Sequence, residues 1–110
     1  MTGNEYQELA KRTINTELNW DEIEMHALHG MVGEIGEIHS IYQKVYQGHY
    51  ESADHIKKEL GDCLWMIAEA CTALGFEMDN VMQTNIDKLK ARFPDGFNVD
   101  KDLHRKVGDV

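Results

Sequence analysis

The stretch that decides the fold is DEIEMHALHGMVGEIGEIHSIYQKVY, residues 21–46. Its apolar residues recur at steps of three and four from Leu28 to Val45, which is the period of an amphipathic helix. Asn19 followed by Glu22 matches a capping box and predicts where this helix begins. No stretch of the chain alternates with the period of a strand, so the sequence predicts an all-α protein.

The same helical period continues on both sides of this stretch. Three more helices are predicted: a weaker one from Asn4 to Ile14, one from Ala53 to Leu74 with Gly75 as its C-cap, and one that starts at Asp79 or Asn80 and stops at Pro94. Because short turns join them, a four-helix bundle is the expected architecture. Residues 1–95 are predicted to form a single domain, and residues 96–110 a polar C-terminal tail.

The composition of the chain argues against two classes of binding partner, nucleic acids and membranes. The 110 residues contain 11 basic and 20 acidic side chains, a net charge of -9, which opposes binding to nucleic acid or to an anionic membrane. The longest run without a charged residue has nine positions, too few for a membrane span, and no secretory signal is expected. Cys63 and Cys71 are interpreted as thiols in a reducing compartment. We therefore expect a soluble cytoplasmic protein.

Two pairs of acidic residues are the strongest candidates for chemistry. Glu34 and Glu37 stand at i and i+3 on one predicted helix, and Glu59 and Asp62 repeat this spacing on the next. If the two helices pack antiparallel, the four carboxylates converge and would repel one another without a divalent cation. Hard oxygen ligands suit Mg²⁺, with Mn²⁺ as a substitute.

The alternative is that each pair belongs to a solvated helix face. Neighbouring glycines argue against it, because Gly33, Gly36 and Gly61 each cost about 1 kcal/mol inside a helix. Close helix–helix packing is the competing explanation for these glycines. It is compatible with a metal site, since close packing would also bring the carboxylates together.

Basic and polar residues on the last predicted helix suggest phosphate binding. Asn85, Lys88 and Arg92 share one helix face, and Lys44 lies on the same side as Glu37, about 10 Å further along its helix. A metal flanked by cations suits a polyphosphate. The alternative is that cations near a helix C-terminus simply complement the helix dipole.

Three strings of the sequence resemble those of a known family: GEIGEI (33–38), KKELGDCLW (57–65) and NIDKLKARFPDGF (85–97). They resemble the MazG-like all-α nucleoside triphosphate pyrophosphohydrolases, over roughly Trp20 to Phe97. The resemblance implies that Mg²⁺ is held by Glu34, Glu37, Glu59 and Asp62, and that phosphate is met by Lys88, Arg92 and Asn85. One departure is Gly33, where many members have a further Glu.

The expected reaction is hydrolysis of a nucleoside triphosphate between its α and β phosphates. Glu37 is preferred to Glu34 as the general base, with Lys44 as an additional cation.

Trp20 is either an aromatic contact for the nucleobase or the hydrophobic staple of its helix. His26 lies on the side of its helix that carries Glu37, and a partly exposed surface histidine is favoured there over a substrate contact.

A homodimer or a dimer of dimers is expected, because a monomer would leave apolar helix faces uncovered. Other functions stay open at this point. A non-catalytic helical dimerisation module explains the apolar stripes but not the acidic pairs. Among enzymes, phosphoribosyl-ATP pyrophosphohydrolases and dUTP or dCTP hydrolases have similar motifs. A di-iron protein is disfavoured because no Glu is followed by His three residues later.

Overall fold

Five helices and no strands make up the protein in the computed structural model, which describes residues 1–110. They are α1 (Gly3–Lys11), α2 (Trp20–Tyr46), α3 (Ala53–Leu74), α4 (Met78–Arg92) and α5 (Val99–Leu103). The all-α prediction is confirmed. The first helix is three residues shorter at its C-terminal end than predicted, since α1 ends at Lys11 rather than Ile14. No helix is long and apolar enough to cross a membrane.

Local capping explains where the two long helices begin and end. The side chain of Asn19 accepts a hydrogen bond from the backbone N–H of Glu22, whose carboxylate accepts one from Asn19 N–H, so α2 starts with the predicted capping box. Gly75 ends α3 in the left-handed conformation at φ 76°, which a residue without a side chain adopts at little cost.

The helices α2 and α3 form an antiparallel hairpin that contains most of the core. Ile23, Ala27 and Ile41 are buried on α2, and Met66 and Cys71 are among the buried residues of α3. Gly30 lies directly against Met66, and an added Cβ there would overlap the methionine sulfur. This close approach sets the register, in which residues 26, 30 and 34 of α2 lie opposite residues 69, 66 and 62 of α3.

Contacts from α1 build the start of α4. The predicted caps, Asp79 or Asn80, are wrong: the N-cap is Glu77, and its side chain makes no capping bond. Instead, the N–H of Met78 donates to Gln7 Oε1 at 2.7 Å and the N–H of Asp79 donates to Asn4 Oδ1 at 2.9 Å. The exposed amides of one helix are therefore satisfied by side chains of another.

The C-terminal tail has structure of its own. It contains the single-turn helix α5 and returns to α4, where Asp109 accepts two hydrogen bonds from Arg92 at 2.9 and 2.8 Å. Both side chains of this pair are largely buried. The predicted polar tail is thus attached to the last long helix of its own chain.

Candidate metal centre

Three carboxylates from two helices meet in the α2–α3 hairpin. Glu34 on α2 and Glu59 and Asp62 on α3 each offer an oxygen, and these oxygens lie within 4.8 Å of one another. The i, i+3 spacing places Glu59 and Asp62 on one face of α3, and the antiparallel register brings Glu34 opposite them. All three residues are half-buried. We call this group the carboxylate cluster.

Glu37, the fourth predicted ligand, lies at the edge of the cluster. It is exposed and offers no oxygen to the group of three, but its charge still acts on Glu34. No protein group forms an ion pair with it. The structure thus brings together three of the four predicted carboxylates and leaves the fourth beside them, free to contact solvent.

Negative charge in the cluster is poorly compensated. The pKa of Glu34 is raised, first by burial and then by the charges of Asp62, Glu59 and Glu37 and a hydrogen bond with Glu59. No lysine or arginine forms an ion pair with these carboxylates. Carboxylate oxygens that repel one another and have no lysine or arginine partner are the donor set that fits a hard divalent cation. The residues present therefore fit Mg²⁺ or Mn²⁺.

Burial and the same carboxylates raise the pKa of the Cys63 thiol beside the cluster. A thiol with a raised pKa stays protonated, so it is a poor nucleophile and a poor metal ligand. Its sulfur is also not among the ligand atoms that converge in the cluster, which are all carboxylate oxygens.

His55 is a site residue that the sequence reasoning missed. Its Nδ1 lies 2.9 Å from Glu51 and its Nε2 lies 3.4 Å from Glu59. The hydrogen bond with Glu51 is the main cause that raises the pKa of His55. The signal was present in the sequence as acidic residues four positions before and four positions after the histidine. His55 contacts Glu59 from one turn earlier on α3, whereas Asp62 lies about one turn later on the same helix.

The glycines near the cluster border open space. A Cβ added at Gly33, Gly36 or Gly61 would meet nothing within 4 Å. Close packing inside this chain, the competing explanation for these glycines, is therefore not what requires them. Their effect is to leave the surface around the carboxylate cluster free of side chains.

An open groove of about 680 Å³ lies next to the cluster between α1 and α3. Asp62 belongs to both, and the groove continues along Tyr6, Gly61 and Trp65. Burial, followed by the charge of Asp62, raises the pKa of Tyr6. The indole N–H of Trp65 donates to Thr13 Oγ1 at 2.7 Å, which fixes the ring as one wall of the groove.

Three of the predicted phosphate-binding residues lie on α4, and the fourth, Lys44, lies near the end of α2. Asn85 and Lys88 are exposed on α4, a helix that packs mainly on α1. Arg92 is engaged by Asp109, whose hydrogen bond raises the pKa of the guanidinium, while Arg92 lowers the pKa of Asp109. Lys44 is close enough to Glu51 to lower its pKa, although His55 is the larger cause.

Trp20 is the first residue of α2, and its side chain is exposed. Trp20, Asn85, Lys88 and Arg92 are not among the residues that line the groove beside the carboxylate cluster.

Acidification is expected to stabilise the metal-free protein through Glu34. A carboxyl whose native pKa is raised binds its proton more tightly when folded, so the free energy of unfolding falls as pH rises from the ordinary pKa of 4.5 through the raised value. Mg²⁺ affinity should change in the opposite sense, because metal and proton compete for the same oxygens.

The measurement is a thermal midpoint between pH 4 and pH 7 in a chelator, with Mg²⁺ titration at each pH. Glu34→Gln is the matched variant, and its stability should depend less on pH across this window. Identical pH profiles for the two proteins would contradict the assigned role of Glu34.

A family model for the MazG nucleotide pyrophosphohydrolase domain matches residues 22–97. The match includes α3 and α4 and nearly all of α2, and with them the carboxylate cluster, in agreement with the resemblance over Trp20 to Phe97. No curated protein and no solved structure matches the chain. Since the matched range exceeds half of the 110 residues, and the all-α fold and the acidic motifs agree with it, the chain belongs to the MazG nucleotide pyrophosphohydrolase family.

Proposed function

We propose that this protein is a Mg²⁺-dependent nucleoside triphosphate pyrophosphohydrolase that cleaves between the α and β phosphates. The observation that carries the proposal is the convergence of Glu34, Glu59 and Asp62 on the two helices of the hairpin, with no lysine or arginine paired to them and His55 in contact with Glu59 alone. Family membership supports a nucleotide as the substrate and pyrophosphate hydrolysis as the class of reaction.

Glu34, Glu59 and Asp62 would hold the cation, with Glu37 as a further ligand. Bound Mg²⁺ offsets the charge of the phosphates and makes a bound water more acidic. Water attacks the α phosphorus, the bond to the bridging oxygen breaks, and the products are a nucleoside monophosphate and pyrophosphate. Glu37 takes the proton from the attacking water. This role is supported by the position of Glu37, which is exposed beside the cluster and has no ion-pair partner within the protein.

Lys88, Arg92 and Asn85, with Lys44, are the groups we propose for the charge of the leaving pyrophosphate. Asn85, Lys88 and Arg92 lie on α4, which packs mainly on α1 and not on the α2–α3 hairpin that carries the cluster. Assembly with another copy of the chain would have to bring these α4 groups to a carboxylate cluster. Trp20 remains the proposed aromatic contact for the nucleotide.

A homodimer or homotetramer is therefore part of the proposal. The radius of gyration is 17.0 Å, whereas a compact chain of this length has about 13 Å. One row of exposed apolar residues follows the three-and-four spacing of a helix–helix seam along α2. We call it the outer stripe: Met25, Leu28, Val32, Ile35 and Tyr42. On α3, Leu60 and Leu64 are also exposed. Apolar area of this extent favours association.

Removal of non-standard nucleotides or control of a deoxynucleotide pool is the proposed role. Phosphoribosyl-ATP and dUTP or dCTP are alternative substrates within the same reaction class. The two cysteines are free thiols, which supports the proposed cytoplasmic location.

A panel of canonical and modified nucleoside triphosphates, with and without Mg²⁺, tests the reaction. We expect pyrophosphate as the first phosphorus product and no turnover in a chelator. Orthophosphate as the first product would refute cleavage between the α and β phosphates. Silence across the panel, from a folded oligomer, would favour the dimerisation module.

A further inference from the structure

The core contains one residue whose burial is unfavourable in free energy, Glu69 on α3. It is the one buried residue with an ionisable carboxylate, and its side chain is 5% exposed. Its neighbours along the helix, Ala68, Ala70 and Cys71, are buried and apolar. A buried carboxylate is expensive to desolvate, and a well-packed apolar residue at such a place is often equally or more stabilising. Stability alone does not account for Glu69.

The partner of Glu69 is His26, across the hairpin on α2. Glu69 Oε1 lies 2.7 Å from His26 Nδ1, and the histidine side chain is 57% exposed. An ionised carboxylate only accepts hydrogen bonds, so Nδ1 carries the proton and donates it. In the neutral ring, Nε2 is then an acceptor. No protein group is bonded to Nε2, so in the neutral ring this acceptor faces the surroundings of the protein.

His26 belongs to an open cleft of about 420 Å³ at the start of α2, whose walls include Asp21, Met25 and His29. Nε2 of His26 has a second acceptor in the same cleft, because the ionised carboxylate of Asp21 can only accept as well. A ligand group with two N–H bonds satisfies two such acceptors, whereas a carbonyl oxygen in the same position would be repelled by both.

The distance from this cleft to the carboxylate cluster suits a nucleotide. The His26–Glu69 layer is separated from the Glu34–Asp62 layer by seven to eight residues, about 11 Å along the hairpin. Between them Gly33, on the same side of α2 as His26, leaves the surface free of side chains. This spacing is close to that between the α phosphate of a nucleotide and the far edge of its base.

We propose that His26, held by the buried Glu69, reads the exocyclic amino group of a nucleobase whose phosphates lie at the carboxylate cluster. This inference rests on the proposed function, whose site it extends. His26 is the specificity residue, and Glu69 is a positioning residue that fixes the tautomer and the orientation of the ring.

Matched substrate pairs test the amino group. The pairs dCTP and dUTP, and dATP and dITP, each differ at an amino or oxo position. We expect the wild type to favour the amino member by about tenfold in KM, the effect of one hydrogen bond. His26→Ala should abolish the preference by raising KM for the amino member of each pair. Glu69→Gln should reduce it, since the amide can also donate to Nδ1 and reverse the tautomer. His29→Ala, in the same cleft, should keep it.

An equal preference in the wild type and in His26→Ala would overturn the proposal. If His26→Ala loses the preference for the amino substrate and Glu69→Gln keeps it unchanged, the role of Glu69 is overturned. Binding of dCMP and dUMP, followed through the ¹⁵N signals of the His26 ring, needs no turnover. It therefore separates a failure of this inference from a failure of the proposed hydrolysis: dCMP should shift Nε2 and dUMP should not, and equal responses would contradict the proposal.

Discussion

Asp62→Asn is expected to reduce Mg²⁺-dependent pyrophosphate release by about a thousandfold or more, because removing one ligand or charge at a preorganised site costs several kcal/mol of transition-state stabilisation. The same substitution should make the metal-free protein more stable. It removes one of the charges that repel Glu34 and raise its pKa. The expected result is an inactive protein with a higher thermal midpoint in a chelator than the wild type, and a smaller upward shift when Mg²⁺ is added.

Asp54→Asn is the matched control, since Asp54 lies exposed on the same helix and pairs only with Lys58 at 3.2 Å. It should leave turnover and the shift with Mg²⁺ near their wild-type values. An Asp62→Asn protein that retained turnover, or that gained as much stability from Mg²⁺ as the wild type, would remove the carboxylate cluster from the mechanism.

Val32→Asp is expected to produce a monomer. Val32 lies at the centre of the outer stripe and is 72% exposed in the single chain. In an assembly that covers this stripe, the new carboxylate would be buried without a partner, which costs several kcal/mol. Association should weaken on the order of a thousandfold, and turnover should fall with it, because α4 packs mainly on α1 of its own chain and its basic residues are proposed to act in the assembly.

Analytical ultracentrifugation at micromolar concentration measures the effect. The wild type should sediment as a dimer or tetramer and the variant at 12.6 kDa. Val107→Asp makes the same change at a fully exposed position of the tail and should leave the assembly intact. A wild type that sediments as a monomer, or a Val32→Asp variant that still associates, would contradict the assignment of the outer stripe as an interface.

Features that depend on neighbouring residues were predicted well from the sequence. The capping box of Asn19 and Glu22 and the left-handed Gly75 were assigned correctly, because each is decided within three or four residues. The short turn between α2 and α3 favoured an antiparallel pairing, and this pairing brings Glu34, Glu59 and Asp62 together. The i, i+4 spacing that links His55 to Glu51 and Glu59 was equally local, and a search for it would have found the histidine.

Features that depend on distant residues were not predicted. The start of α4 was misplaced because its amide groups are capped by Gln7 and Asn4, more than seventy residues earlier in the chain. Arg92 was assigned to phosphate, and in the structure Asp109 of the tail binds its guanidinium. Neither contact leaves a periodic signal in the sequence.

The sequence by itself determined the all-α class, the two long helices and the acidic motifs, because helix period and capping are local properties of the chain. The tertiary structure decided which of the charged residues meet. It placed Glu37 beside the three converging carboxylates, packed α4 mainly on α1, and buried Glu69 against His26. The physical reason is that burial and the pairing of charges depend on the side chains that packing brings together, and in this protein those contacts join residues far apart in the chain.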